Sequence, residues 1–148
     1  MVEDLLDMAN TLAVADGRRP RQISLRRAIS NAYYAVFHAL AQLCADELVG
    51  VTKHSSPAWI RVYRALEHGF AKNALKANEV TALNPGVKDF ADAFLALQDL
   101  RHIADYDPRP FPYRRRATQA AIAQARNAIT KLNAIDPEIR RVLATYVS

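Results

Sequence analysis

Six consecutive residues, Arg101-His102-Ile103-Ala104-Asp105-Tyr106, carry four side chains able to contact phosphate or move a proton, just ahead of Pro108, Pro110 and Pro112. Helical spacing sets how they can act together. With Phe90 as the centre of the apolar face, Phe94, Leu97 and Ala104 lie within about 40° of it and Arg101 within about 20°. An arginine therefore stands where the pattern asks for a leucine. An unpaired guanidinium in a core is prohibitive, so a partner is required. Asp105, one turn later, is the candidate. His102 and Tyr106 share a different face, again one turn apart. A guanidinium can grip phosphate oxygens through two bonds. An imidazole exchanges protons near neutral pH, and a carboxylate or phenol can assist. The same residues would also serve as a register-fixing ion pair. An apolar pair is often as stable, however, which favours a site.

A second helix breaks its pattern in a related way. Between Leu25 and Leu43 the core stripe is Leu25, Ile29, Ala32, Val36, Leu40 and Leu43. The opposite face carries Arg27, Asn31, Tyr34 and His38, which are vertical neighbours at three- and four-residue spacing. An exposed face would ordinarily show Glu, Lys and Gln. Tyrosine, histidine and a short amide suit a half-buried polar surface, either a ligand groove, a subunit interface or the lining beneath another helix. The adjoining stripe, Arg26, Ser30, Tyr33 and Phe37, is less informative, with Tyr33 and Phe37 expected to flank the core. Past the prolines, Arg109, Arg114, Arg115 and Arg116 alternate with Phe111 and Tyr113. Cations at a helix start oppose the macrodipole. Arginines interleaved with aromatic rings can follow a phosphate backbone and stack on bases.

The elements that must position these residues are all helical, since no strand-like alternation occurs. Helices are expected over roughly Val2–Ala15, Gln22–Val49, from Ser56-Pro57 to near Gly69, Val87–Tyr106 and Tyr113–Ala134. A short last helix opens at Asp136-Pro137-Glu138 and runs to Val147. Asp16-Gly17 ends the first helix, Arg18-Arg19-Pro20-Arg21 forms a basic connector, and Phe70–Leu83 is a short helix or a mobile loop. The fold class is all-α, an antiparallel bundle of four to five main helices with a short C-terminal helix, in one domain over residues 1–148.

The chain is 51% hydrophobic and 24% charged, enough for a real core. A net charge of +5 mildly favours acidic partners. The single cysteine, Cys44, excludes an internal disulfide and a cysteine-based zinc site, and fits a reducing cytoplasm. The acidic start MVEDLLDMAN does not resemble a secretory leader. No apolar run reaches the ~18 residues that span a bilayer, so no membrane partner is expected. His38, His54, His68 and His102 are too scattered to predict a metal site, and no phosphate loop, G-x-S-x-G or H-E-x-x-H occurs. No metal and no cofactor are expected.

Two stretches taken together, RRAISNAYYAVFHAL and LRHIADYDP, resemble the HEPN superfamily. They are most similar to its small single-domain branch with an A-Y-Y-A-x-F-H helix and an R-x-x-A-D-Y ending. The match falls on Ala32, Tyr33, Tyr34, Ala35, Phe37 and His38, and on Arg101, Ala104, Asp105 and Tyr106. The resemblance implies a helical bundle, usually homodimeric, often paired with a nucleotidyltransferase-type antitoxin, and frequently a toxin of the metal-independent ribonuclease class. Its motif arginine corresponds to Arg101. The histidine four to six residues further on has no counterpart, because that window holds Asp105, Tyr106 and Asp107. The resemblance therefore implies either a ribonuclease using Arg101 with His38 or His102, or a non-catalytic module that binds RNA, a nucleotide or its partner.

Overall fold

Short polar caps and prolines set the helix starts. The computed structural model describes residues 1–148 and contains eight helices and no strand. They are α1 (Val2–Val14), α2 (Gln22–Leu48), α3 (Pro57–Ala65), α4 (His68–Lys76), α5 (Asn78–Thr81), α6 (Pro85–Tyr106), α7 (Arg115–Asn133) and α8 (Pro137–Val147). Pro57, Pro85 and Pro137 open helices, where a missing N–H costs nothing. Ser56 Oγ accepts from Trp59 N at 3.2 Å, and Asn84 Oδ1 accepts from Gly86 N at 2.7 Å. Asp136 occupies the cap position of α8 without making a side-chain cap bond. Gly17, with φ of 62°, takes the left-handed conformation that turns the chain after α1. The Phe70–Leu83 region is ordered as helix. α4 begins before it at His68, so Gly69 lies inside a helix rather than ending one.

Side-chain pairing shows how the main helices run. Along α2 and α6, Arg26 meets Ile103, Ala104 and Asp107, Ser30 meets Asp105, and Tyr34 meets Arg101. The numbers rise on one helix as they fall on the other, so the two are antiparallel. Lys131 near the end of α7 pairs with Asp89 near the start of α6, and Arg115 at the start of α7 bonds carbonyls at the end of α1. Hence α1 ends, α2 begins, α6 ends and α7 begins at one pole of the bundle.

The core is a single cluster. The expected α2 stripe of Leu25, Ile29, Ala32, Val36, Leu40 and Leu43 is buried, as are Phe90, Phe94, Leu97 and Ala104 of α6. Each large side chain so buried contributes about 1.5–3 kcal/mol. Buried Ala28, Ala32, Ala35, Ala39 and Ala41 let neighbouring backbones approach α2 closely. Tyr33 does not flank the core but is fully enclosed in it. α3 is the exception, for none of its nine residues is buried and Ile60 is exposed. Leu66, the apolar residue just past its end, is buried instead. No helix is long and apolar enough to cross a membrane.

Candidate functional site

Five residues before the end of α6, Arg101 turns inward against α2. Its side chain is 15% exposed, so the guanidinium sits at the edge of the core and not within it. Three rings surround it, with the guanidinium carbon 5.4 Å from the centroid of Tyr33, 5.3 Å from Tyr34 and 5.4 Å from Tyr106. Such contacts stabilise a cation against π faces. Nη2 donates to the Tyr34 hydroxyl at 2.8 Å. Nε lies 2.9 Å from Asp105 Oδ2, off the hydrogen-bond axis, so the carboxylate acts on it by charge rather than through an aligned bond. Ser30 Oγ steadies the same carboxylate oxygen at 3.3 Å. Burial works to lower the Arg101 pKa. Tyr34, then Tyr106 and Asp105, outweigh it and hold the guanidinium charged.

That leaves Nη1. It makes no hydrogen bond within the protein. Arg101 lines a groove of about 410 Å³ together with Lys72, Gln98, Asp99, His102 and Ile103. The groove thus holds two cations, the exposed carboxylate of Asp99 and an exposed imidazole, whose ring lies 5.2 Å from that of Tyr106. A larger groove of about 520 Å³ between α6 and α7 offers no comparable chemistry. Four of its nine lining residues are alanine, and its Asp89 is paired with Lys131 and its Asp92 with Lys88.

Beneath Arg101 lies a polar chain that the sequence did not single out. The Tyr33 hydroxyl is 2.5 Å from His68 Nδ1, and Gln98 Nε2 donates to that hydroxyl and to the His68 carbonyl, each at 3.5 Å. With Gln98 donating, the Tyr33 hydroxyl donates onward to Nδ1. The His68 ring stacks on Phe37 at 4.0 Å. Burial, then the charges of Arg101 and His38, push the His68 pKa down, and burial pushes the Tyr33 pKa up. His68 is therefore a neutral imidazole wedged among rings. Its only sequence signal was one histidine before a glycine in a weakly patterned stretch.

The other expected residues fall into three groups. Arg27 is exposed, while Asn31, Tyr34 and His38 are half-buried, matching the expected polar face of α2. Only Tyr34 reaches Arg101. His38 Nδ1 is bonded to the Tyr63 hydroxyl at 2.6 Å, and burial followed by the N-terminal charge lowers its pKa. Tyr106 and His102 remain exposed. In the elbow, Arg109 is clipped to Asp107, holding that carboxyl down at about 2 through side-chain and then backbone hydrogen bonds. Arg115 is also engaged, donating to Ala13 O at 2.7 Å and to Gly17 O. Arg114 and Arg116 are exposed and make no ion pair. Arg26 does structural work: Nη1 donates to the carbonyls of Ile103, Ala104 and Asp107, Nη2 donates to that of Arg109, and the guanidinium covers the Phe111 ring. These bonds satisfy the carbonyls left over where α6 stops. No four-residue cluster of metal ligands emerges from the four histidines, which lie on separate elements.

No protein-family model matches the chain, and no curated protein and no solved structure matches it either.

Proposed function

We propose that this chain is a HEPN-type helical domain that binds an RNA phosphodiester at the Arg101 groove and cleaves it without a metal, as a toxin-type ribonuclease does. One observation carries the reading: a guanidinium held by Tyr34, with no protein hydrogen bond at Nη1, belongs to a residue that lines a groove with an exposed histidine. Tyr34, Asp105 and three rings fix Arg101, so little side-chain entropy is lost when an anion docks. The arginine would stabilise charge on the non-bridging oxygens as the 2′-hydroxyl attacks the neighbouring phosphorus and the 5′-oxygen leaves. His102, the histidine lining that groove, would accept the 2′-hydroxyl proton and return one to the leaving oxygen. His38 is bonded through Nδ1 to the Tyr63 hydroxyl and does not line that groove, so His102 is the favoured histidine. A homodimer would set two such grooves side by side, and a nucleotidyltransferase-type antitoxin would be the regulating partner.

The second reading, a non-catalytic module for RNA, a nucleotide or that partner, is favoured by Asp105, whose carboxylate offsets part of the Arg101 charge. Cleavage of a fluorescent RNA in excess chelator separates the two. The ribonuclease reading expects turnover by wild type and losses of about a hundredfold or more in Arg101→Ala and His102→Ala. Intact RNA with wild-type protein, or equal cleavage by all three proteins, overturns it.

A further inference from the structure

The pole at which α1 ends and α7 begins carries charge that neither run of arginines shows alone. Arg115 bonds the carbonyls of Ala13 and Gly17, stapling the elbow to the end of α1. The Gln22 side chain accepts from Phe111 N at 2.9 Å, stapling the elbow to the start of α2. Residues 18–21 run between those two anchors. The basic connector and the elbow, some ninety positions apart in sequence, are thereby held beside each other. Arg18, Arg19, Arg21, Arg114 and Arg116 are all exposed, and none of them forms an ion pair. The acids nearby are occupied: Asp16 accepts from the backbone N–H of Arg21 at 3.0 Å, and Asp107 holds Arg109.

Five exposed guanidinium groups on one pole repel one another and contribute nothing to the core, and of the acids only Asp16 places charge beside one of them, Arg21. We propose that this pole is a docking surface for the backbone of single-stranded RNA, assembled from Arg18, Arg19 and Arg21 together with Arg114 and Arg116. All five are arginine and none is lysine, the choice suited to forked phosphate contacts and to stacking on unpaired bases. Arg101 lies on α6 within two turns of the same pole, so a strand gripped there would lead toward its groove. The surface is distinct from that groove and would hold RNA even in a protein that does not cut it. An anionic membrane is the competing polyanion, since Val14 and Ile23 are exposed at the same end, but they are two separate side chains rather than an apolar stripe.

Fluorescence anisotropy of the full chain with a labelled oligouridine, titrated with salt, tests this. Each phosphate neutralised on a single strand adds about −0.7 to the log–log salt slope. Replacing Arg18, Arg19 and Arg21 with Gln should flatten the slope by about 2, and replacing Arg114 and Arg116 with Gln by about 1.4, with both melting temperatures unchanged. Arg101→Ala should lose only about 0.7. An unchanged slope in both arginine-to-glutamine proteins overturns the proposal, as does binding of phosphatidylserine vesicles without binding of RNA. Loss of cleavage in Arg101→Ala with normal pole-dependent binding would support it independently of the reaction, while normal cleavage with no pole dependence would defeat it alone.

Discussion

Arg101 donates a 2.8 Å hydrogen bond to the hydroxyl of Tyr34, which lies 67 positions earlier on the neighbouring helix. That bond joins the two segments whose patterns are irregular and orients the free edge of the guanidinium. Tyr34→Phe removes the hydroxyl and leaves the ring. A hydrogen bond to a charged group contributes about 1.5–3 kcal/mol. Urea unfolding should show a loss near the lower end, because water can reach the site, and RNA affinity should fall with it. Unchanged stability and affinity would show that the bond positions nothing.

Acid should loosen the protein through two histidines. His68 and His38 both have pKa values lowered by burial, with nearby positive charge adding to the effect. Below the ordinary value near 6.5 the unfolded chain binds protons that the folded chain refuses. Stability is therefore level above about pH 7 and declines as pH falls through the ordinary histidine range toward the depressed folded values. Melting temperatures between pH 8 and pH 5 should follow that course, and His68→Gln should flatten it. A profile that rises on acidification would contradict these environments.

The end of α6 should depend on Arg26. Arg26→Ala frees the carbonyls of Ala104, Asp107 and Arg109 and uncovers Phe111, with an expected cost of about 2–3 kcal/mol. Hydrogen exchange should quicken in the last turn of α6 and in the elbow before it quickens elsewhere. Lysine should not restore protection, because its point charge cannot reproduce the fork. Exchange that rises evenly over the whole chain would instead mark a global loss.

α3 should be the first element to detach. It buries no residue and is held to α2 by two polar contacts, Asp46 Oδ1 accepting from Trp59 Nε1 at 2.9 Å and the Tyr63 hydroxyl 2.6 Å from His38 Nδ1. Trp59 is the single tryptophan, so its fluorescence reports the surroundings of α3. Asp46→Ala should red-shift the emission while leaving the overall helix content nearly intact. An unshifted spectrum would place the anchor elsewhere.

Much of this architecture was legible because it rests on local signals. The α2 and α6 stripes, the proline starts at Pro57, Pro85 and Pro137, and the Arg101–Asp105 pair all follow from helical spacing. What stayed hidden depends on contacts between distant segments. The stripe Arg26, Ser30, Tyr33 and Phe37 looked uninformative, yet it faces α6 and carries Arg26 to the carbonyls and Tyr33 to Gln98. Periodicity says that residues share a face, not which face meets a partner. His68 was unreadable because a single histidine in a short segment has no period. Likewise, four arginines in the elbow look equivalent on paper, and only the fold shows that Arg109 and Arg115 are already engaged.

In the proposed ribonuclease, Arg101 occupies a position fit for leucine because its free edge meets RNA. Arg101→Leu tests it in one protein, by following melting temperature and RNA cleavage together. Leucine keeps the apolar packing but leaves Asp105 and the Tyr34 hydroxyl without their partner, so part of the stability is lost with the charge. The expected result is a folded protein with a lowered melting temperature and cleavage down by about a hundredfold or more. Cleavage at the wild-type rate, or a protein that unfolds while wild type leaves RNA untouched, would contradict it and make Arg101 a structural residue.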